Sequence, residues 1–324
     1  MSLEDKQVLV TGATGLVGST LVPALVKTGA RVRATVHRRA AAAPMRDVEY
    51  IRCDLTSPEE CGRATSGCEV IFHCAARGAA AAAFNRGTGA EFLENFFMDA
   101  HLLAASRAAG AKKFLWLGSS VAYPPTDADG VSEDDLLSGE PFEKYYAVGW
   151  CKRFTEVLCR IYTRGKEAGM GVVVLRPSSI YGPHDDFDLA TCHVVPALVR
   201  KIVERWDPLE VWGTGNEERD VVYVADVVEA LLLAAERTDG YGAFNIAAGQ
   251  SHSIREIVET LGHLDGFAGL RLKFDPSKPT TIPVRRMSIE RAGKELGWRP
   301  RTSLSEGLRQ TIDWYRQQRV LAEK

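Results

Sequence analysis

Residues 8–18 run VLVTGATGLVG, a buried-type apolar stretch that breaks into three glycines and resumes at helical spacing. Few backbones satisfy this pattern. The chain must turn tightly after a strand, approach a ligand with bare backbone, and pack a helix close to the strand. The helix start then offers free N–H groups and a partial positive charge, which suits a pyrophosphate. The motif predicts a dinucleotide site built from Gly12, Thr14, Gly15, Leu16, Val17 and Gly18.

The rest of the first half alternates strand and helix signals. Strands are expected at Gln7–Thr11, Arg31–Val36, Val48–Arg52, Val70–Ala75, Lys113–Gly118 and Gly171–Arg176. Helices are expected at Leu16–Thr28, Glu91–Ala109 and Lys144–Ala168, with Pro23 inside the first. Such alternation implies a parallel sheet with helices on both faces. Beyond Pro177 the apolar segments shorten. Strands are expected at Val221–Val224 and Phe244–Ala247, and helices at Asp226–Arg237, Ser253–Leu261 and Ser303–Gln318. The predicted class is α/β: a Rossmann-type doubly wound parallel sheet in residues 1–177, and a smaller C-terminal α/β substrate lobe in 178–324 with segments returning to the sheet. No internal repeat is visible.

Composition narrows the function classes. The 324 residues carry 40 basic and 42 acidic side chains, so there is no broad electrostatic pull toward nucleic acid or anionic membrane. No apolar run approaches the ~20 residues of a membrane helix. The first residues lack the order of a signal peptide. The seven cysteines are scattered, with no C-x-x-C pair, so neither a disulfide framework nor a metal site is expected. A cytoplasmic protein with free thiols is the simplest expectation. The alanine runs at 40–43 and 79–83 carry no functional signal.

The end of the second strand bears on the cofactor. An acid there would accept from a ribose 2′-hydroxyl, whereas arginine pairs with a 2′-phosphate. This chain has His37-Arg38-Arg39 and no acid, so NADP is expected, with NAD left open. Asp54-Leu55 follows the third strand, where a carboxylate meets an adenine amino group.

TGATGLVG (11–18), Asp54-Leu55, FHCAA (72–76), Asn95, LGSSVAYP (117–124) and LRPSSIYGP (175–183) together resemble the extended short-chain dehydrogenase/reductase family, in its nucleotide-sugar epimerase, dehydratase and reductase branch. GPHDDFDLATCHVVPAL (182–198) and VWGTGNEERDVVYVADV (211–227) resemble the substrate-lobe segments of the GDP-L-fucose synthases. The resemblance implies hydride transfer at a carbon of a nucleotide-diphosphate sugar. It implies further cofactor contacts at Cys74, Ala75, Ala76, Asn95, Lys152 and Pro177, and substrate contacts at Ser119, Ser120, Tyr123 and Ser179. It also implies a homodimer formed through the two long helices.

In such enzymes a tyrosine and a lysine four residues apart on one helix move the hydroxyl proton, and a serine donates to the same oxygen. Ser120 is the expected serine, with Ser119 supporting. Lys152 matches the lysine by its surroundings, GWCKR, but position 148 then holds valine. Three possibilities follow: Tyr145 reaches the site, Tyr123 or another group substitutes, or the redox step is lost. The resembled synthases also use a cysteine and a histidine to invert neighbouring carbons. The histidine is present as His193, while the cysteine position reads Val121. Arg219, Lys201 and Arg285 are the expected diphosphate ligands, and Trp212 is placed to stack near the base. The residues therefore support an NAD(P)-dependent nucleotide-sugar enzyme, or alternatively an NAD(P)-binding regulatory protein or pseudoenzyme without hydride transfer. The substrate-lobe segments argue against a third option, a non-sugar carbonyl substrate.

Overall fold

A computed structural model describes residues 1–41, 44–77, 90–125, 130–164 and 169–322. The alanine run at 79–83, part of that at 40–43 and the end of the helix expected to reach Ala168 lie outside the described residues. Seven parallel strands form the main sheet: β1 (Gln7–Thr11), β2 (Arg31–Val36), β3 (Val48–Arg52), β4 (Val70–His73), β5 (Lys113–Leu117), β6 (Gly171–Pro177) and β10 (Tyr241–Ile246). Their spatial order is β3-β2-β1-β4-β5-β6-β10.

The two-residue pleat sorts side chains onto two cores. Leu9, Ile71, Phe114 and Val172 align across β1, β4, β5 and β6. They face one core, with residues of α2 (Pro58–Thr65), α3 (Ala90–Ala108) and α4 (Tyr146–Tyr162). Val10, Phe72, Leu115 and Val173 face the opposite core, with α1 (Leu16–Lys27) and α6 (Val224–Arg237). Both faces being apolar explains why these strands read as continuous hydrophobic runs.

The C-terminal part holds α5 (Val194–Val203), α7 (Ile254–Leu264) and α8 (Leu304–Ala322). One small sheet is built on β9 (Glu218–Tyr223), which pairs with β7 (Ser179–Tyr181), β11 (Ser251–Ser253) and β13 (Val284–Arg285). Another pairs β8 (Leu209–Trp212) with β12 (Leu272–Asp275).

Several expected boundaries shift. The helix expected from Lys144 starts at Tyr146, after a 3₁₀ turn over Glu143–Tyr145, because Tyr145 (φ −105°, ψ 6°) leaves the α region. The strand expected at Val221–Val224 is Glu218–Tyr223, and Val224 opens α6. The strand expected at Phe244–Ala247 is β10, whose six-residue parallel register with β6 returns the chain to the cofactor-side sheet. Pro23 does not end α1.

Candidate functional site

A cleft of about 1680 Å³ runs along the carboxyl ends of the main-sheet strands. Gly12 follows β1, His37 follows β2, Cys53 follows β3, Cys74 follows β4 and Pro177 ends β6, and all five line it. This is where open α/β sheets bind ligands, and the volume exceeds the roughly 300–1,000 Å³ of a one-ligand pocket. The cleft therefore has room for a dinucleotide and a second ligand.

The phosphate loop closes one end. Gly12 holds φ +67°, and a Cβ there would lie 2.8 Å from Ala75 Cα. A Cβ on Gly18 would lie 2.1 Å from the Gly12 carbonyl oxygen, so Gly18 seats α1 against the loop and does not itself line the cleft. Gly15 caps α1, whose first turn carries no acidic residue and no capping side chain. Thr14, Gly15, Leu16 and Val17 face the cleft, so the orphan N–H groups of the helix start are aimed at whatever fills it. His37, Arg38 and Asp54 line the far end with Leu55. Hydrogen bonds from Thr56 hold the Asp54 carboxyl below its usual range, so it is ionised. His37 Nε2 stands 3.9 Å from Asp54 Oδ2. A loop closed to side chains, a free helix start and a carboxylate–base end fit a dinucleotide along their whole length.

Cys74, Ala75 and Ala76 form the floor. Thr11 Oγ1 accepts from the Ala75 N–H (3.2 Å) and lies 2.7 Å from His73 Nδ1. His73 Nε2 is 2.9 Å from Asp99 Oδ1, and Thr155 donates to Asp99 Oδ2 at 3.0 Å. Lys152 Nζ stands 4.0 Å from that same oxygen. Burial pushes the Asp99 carboxyl up, but the Lys152 charge and the His73 hydrogen bond outweigh it, so Asp99 stays ionised. Lys152 donates to the Leu117 carbonyl (3.3 Å) and lies 4.6 Å over the Trp116 ring. Its amine is thus held in place, and Lys152, Ser119 and Ser120 all line the cleft.

The structure separates the aromatic candidates. Tyr146 is exposed and makes an edge contact with Trp150, whose indole N–H donates to Glu140, and neither lines the cleft. Val148 is half-buried and does not line it either. Tyr145 is buried, lines the cleft, and lies within electrostatic reach of Arg219 and Arg285. Tyr123, expected as a substrate contact, is fully buried behind the cleft: its hydroxyl donates to Asn245 (2.6 Å) and accepts from Arg176 (2.5 Å). Asn95, expected at the cofactor, is likewise absent from the lining. Its amide clamps the Arg77 backbone at 2.7 and 3.1 Å. The Ser119 hydroxyl accepts from Val121 N–H (3.3 Å) and caps a short turn, leaving the Ser120 hydroxyl to face a ligand.

The other wall comes from the lobe. Ser179, His193, Lys201, Trp212, Arg219 and Arg285 all line the cleft. His193 sits at the start of α5 and is exposed on the cleft wall, where the surrounding protein mass desolvates the ring and lowers its pKa below the ordinary value, so it is neutral near pH 7. Arg219 donates to the carbonyls of Glu218 and Pro283 and to the Thr281 hydroxyl. Arg285 donates to the Pro124 carbonyl, and its Nη2 has no partner among the described residues. Neither guanidinium meets a carboxylate among the described residues. Burial pushes Arg285 down to about 10 and lowers Arg219 as well. A buried Arg285 with the half-buried Arg219 near it, neither in a salt bridge among the described residues, calls for an anion. Asp220, next in β9, accepts from Ser178 and from the N–H groups of Ala248 and Gly249, and so locks this wall in place. Sequence reasoning missed Asp99, Trp206 and Glu210, which lie in no motif, and did not single out Asp185 and Asp220 although both stand within the quoted lobe segments.

The seven-stranded parallel sheet, the glycine loop after β1 and the cleft at the strand ends define a Rossmann-like α/β fold. Residues 8–247 match the NAD dependent epimerase/dehydratase family model, and the chain belongs to that family. It is 32% identical over 321 residues to a GDP-L-fucose synthase of Sinorhizobium fredii, covering 96% of each chain. It is 30% identical over 327 residues to a dTDP-4-dehydro-6-deoxy-D-allose reductase of a Streptomyces species, again covering 96% of each. Among solved structures it superposes with a TM-score of 0.86 and 26% identity on UDP-glucose 4-epimerase with UDP-glucose from Thermotoga maritima, covering 96% of this chain and 99% of that one. With MoeE5 in complex with UDP-glucose and NAD the TM-score is 0.83 at 29% identity, with the same coverage. Among the described residues no helix is long and apolar enough to cross a membrane, and no cluster of His, Cys, Asp and Glu could hold a metal.

Proposed function

We propose that this protein is an NADP-linked epimerase or reductase of a nucleotide-diphosphate sugar, with a rearranged proton-transfer group. The observation that carries the proposal is buried Arg285, whose Nη2 has no partner among the described residues, beside half-buried Arg219 in the same cleft as the glycine loop. They suit a diphosphate, with Lys201 as a third cation. Arg38 and His37 beside the adenosine end favour a 2′-phosphate, hence NADP over NAD.

A nicotinamide dinucleotide, when bound along the glycine loop, would supply hydride chemistry at the sugar carbon. The chain's own part is to orient the sugar and manage its proton. The Ser120 hydroxyl donates to the reacting oxygen. Lys152, held beside Asp99, stabilises negative charge on that oxygen. The Tyr145 phenol, delivered by the 3₁₀ turn ahead of α4, moves the proton in place of a phenol at 148. Neutral His193 accepts a proton from the sugar on the lobe side.

The α3–α4 face is proposed as a homodimer surface. Leu93 and Phe97 on α3, and Phe154, Val157 and Ile161 on α4, are large apolar side chains left exposed.

A second reading, a cofactor-binding protein without hydride transfer, rests on Val148 alone. A thermal-shift panel of GDP-, UDP-, dTDP- and CDP-sugars with saturating NADP separates the two. Selective stabilisation by one sugar nucleotide supports the enzyme, as ligand linkage requires. No response to any of them leaves the regulatory reading.

A further inference from the structure

Asp99 is a costly residue where it stands. Its neighbours on α3, Met98, Leu102 and Leu103, are buried in the apolar core shared with α4 and the sheet, and Asp99 is itself only 4% exposed. A carboxylate there loses stability that an apolar side chain would keep. Its partners show what it is for. Thr11, the last residue before the glycine loop, accepts from the Ala75 N–H, so its own O–H is free to donate to His73 Nδ1 at 2.7 Å. With Nδ1 an acceptor, the ring carries its proton on Nε2 and donates it to Asp99 Oδ1 at 2.9 Å. Thr155 on α4 donates to Oδ2 at 3.0 Å. These donors are uncharged. Among the described residues the one cation at Asp99 is Lys152, whose Nζ stands 4.0 Å from Oδ2. That separation is an ion pair without a hydrogen bond. Of the three N–H donors of a lysine, one goes to the Leu117 carbonyl at 3.3 Å, while the Trp116 ring backs the amine at 4.6 Å. The other two have no partner among the described residues, and Lys152 lines the cleft.

We propose that Asp99 is a positioning residue for Lys152: it holds the amine by charge, takes none of its N–H groups, and so leaves two donors for hydroxyl oxygens in the cleft. Through His73 and Thr11 the carboxylate is braced against the strand end that carries Gly12, and the phosphate loop and the lysine are set as one unit. The use of Lys152 at a sugar oxygen rests on the reading above; its pairing with Asp99 does not depend on the substrate. The remaining titratable groups near the pair are the thiols of Cys151 and Cys159 on α4, which burial pushes up, and Glu156, which is taken by Arg176.

Cyanate, which carbamylates only an unprotonated amine, reads the pairing without any substrate. At pH 8 Lys152 in Asp99→Asn is expected to react about 10-fold or more faster than in the parent, the scale of removing one charge at this range. The rate is read on the Lys152 peptide by mass spectrometry, against exposed Lys112 in the same digest. Thr155→Val, which loosens the carboxylate but keeps its charge, is expected to stay within about 2-fold of the parent. Calorimetric titration with NADP is expected to show Asp99→Asn weaker by about 2- to 10-fold, the worth of one hydrogen bond from a misplaced amine. Lys152→Met keeps the test open if Asp99→Asn does not fold. Asp99 then lacks its cation and its carboxyl rises, so the stability deficit against the parent in urea unfolding is expected to grow from pH 4 to pH 8. Equal Lys152 labelling in Asp99→Asn and the parent, the same acceleration in Thr155→Val, unchanged NADP affinity in Asp99→Asn, or a Lys152→Met deficit equal at both pH values overturns the assignment. A sugar-nucleotide panel without response removes the sugar step alone, because labelling and NADP binding read Asp99 and Lys152 without it.

Discussion

Replacing Arg285 by methionine should make the empty protein more stable and its ligand binding much worse. The side chain is 6% exposed, and burial brings its pKa from 12.5 to about 10, with Arg219 opposing its charge and the phenols of Tyr145 and Tyr123 supporting it. Keeping that group charged at pH 7 costs the folded state on the order of 3 kcal/mol. Its hydrogen bond to Pro124 returns about 1 kcal/mol. Methionine keeps the length and volume, so Arg285→Met should gain on the order of 2 kcal/mol, a rise of a few degrees in Tm. A diphosphate supplies the missing negative charge, so the same change should weaken nucleoside-diphosphate binding about 100-fold, the scale of a buried charged pair broken from one side. Thermal melts without ligand and calorimetric titration with it read the two effects separately. A variant less stable than the parent, with unchanged nucleotide affinity, would show that Arg285 is a structural cation and refute the reasoning.

Other expectations are narrower. Arg38→Ala should erase a preference for NADP over NAD of roughly 10-fold, the worth of one solvent-exposed charged contact; equal affinities in the parent would contradict it. Tyr145→Phe should cut turnover about 10²- to 10⁴-fold with little change in substrate KM, the range of a general acid/base, and an unchanged kcat would remove Tyr145 from the chemistry. Asp185 has an unpartnered Oδ2, and burial raises its pKa from 3.8 to about 7. The folded state therefore keeps a proton that the unfolded chain releases, and stability falls as pH climbs from about 4 to about 7. Asp185→Asn should match the parent near pH 4 and exceed it at pH 8 in urea unfolding; a constant difference at both pH values would contradict this.

Legibility in the sequence followed the range of the interactions. The β1–α1 loop was readable because Gly12 and Gly18 are demanded by backbone contacts within eleven residues and by one neighbouring strand end. The main-sheet strands were readable because both their faces are buried. Lys152 was placed by its neighbours, and its Asp99 and Leu117 partners are consistent with that placement. Tyr123 misled because its fate is set by Arg176 on β6 and Asn245 on β10, more than fifty residues away in the chain. Asp99 escaped notice for the same reason: His73, Thr155 and Lys152 reach it from β4 and α4, and nothing local marks it. Asn95 carried a family motif, and its amide holds the backbone of Arg77, a residue that lines the cleft.

The central claim is that one cleft holds a dinucleotide and a sugar nucleotide end to end. A crystal structure of the protein with NADP and GDP tests it most directly. The account predicts the NADP pyrophosphate on Gly12–Val17, the nicotinamide ribose beside Lys152, and the GDP phosphates within hydrogen-bond distance of Arg219 and Arg285. Phosphates bound elsewhere, with both guanidiniums still facing solvent or only the protein's own carbonyls, would contradict it.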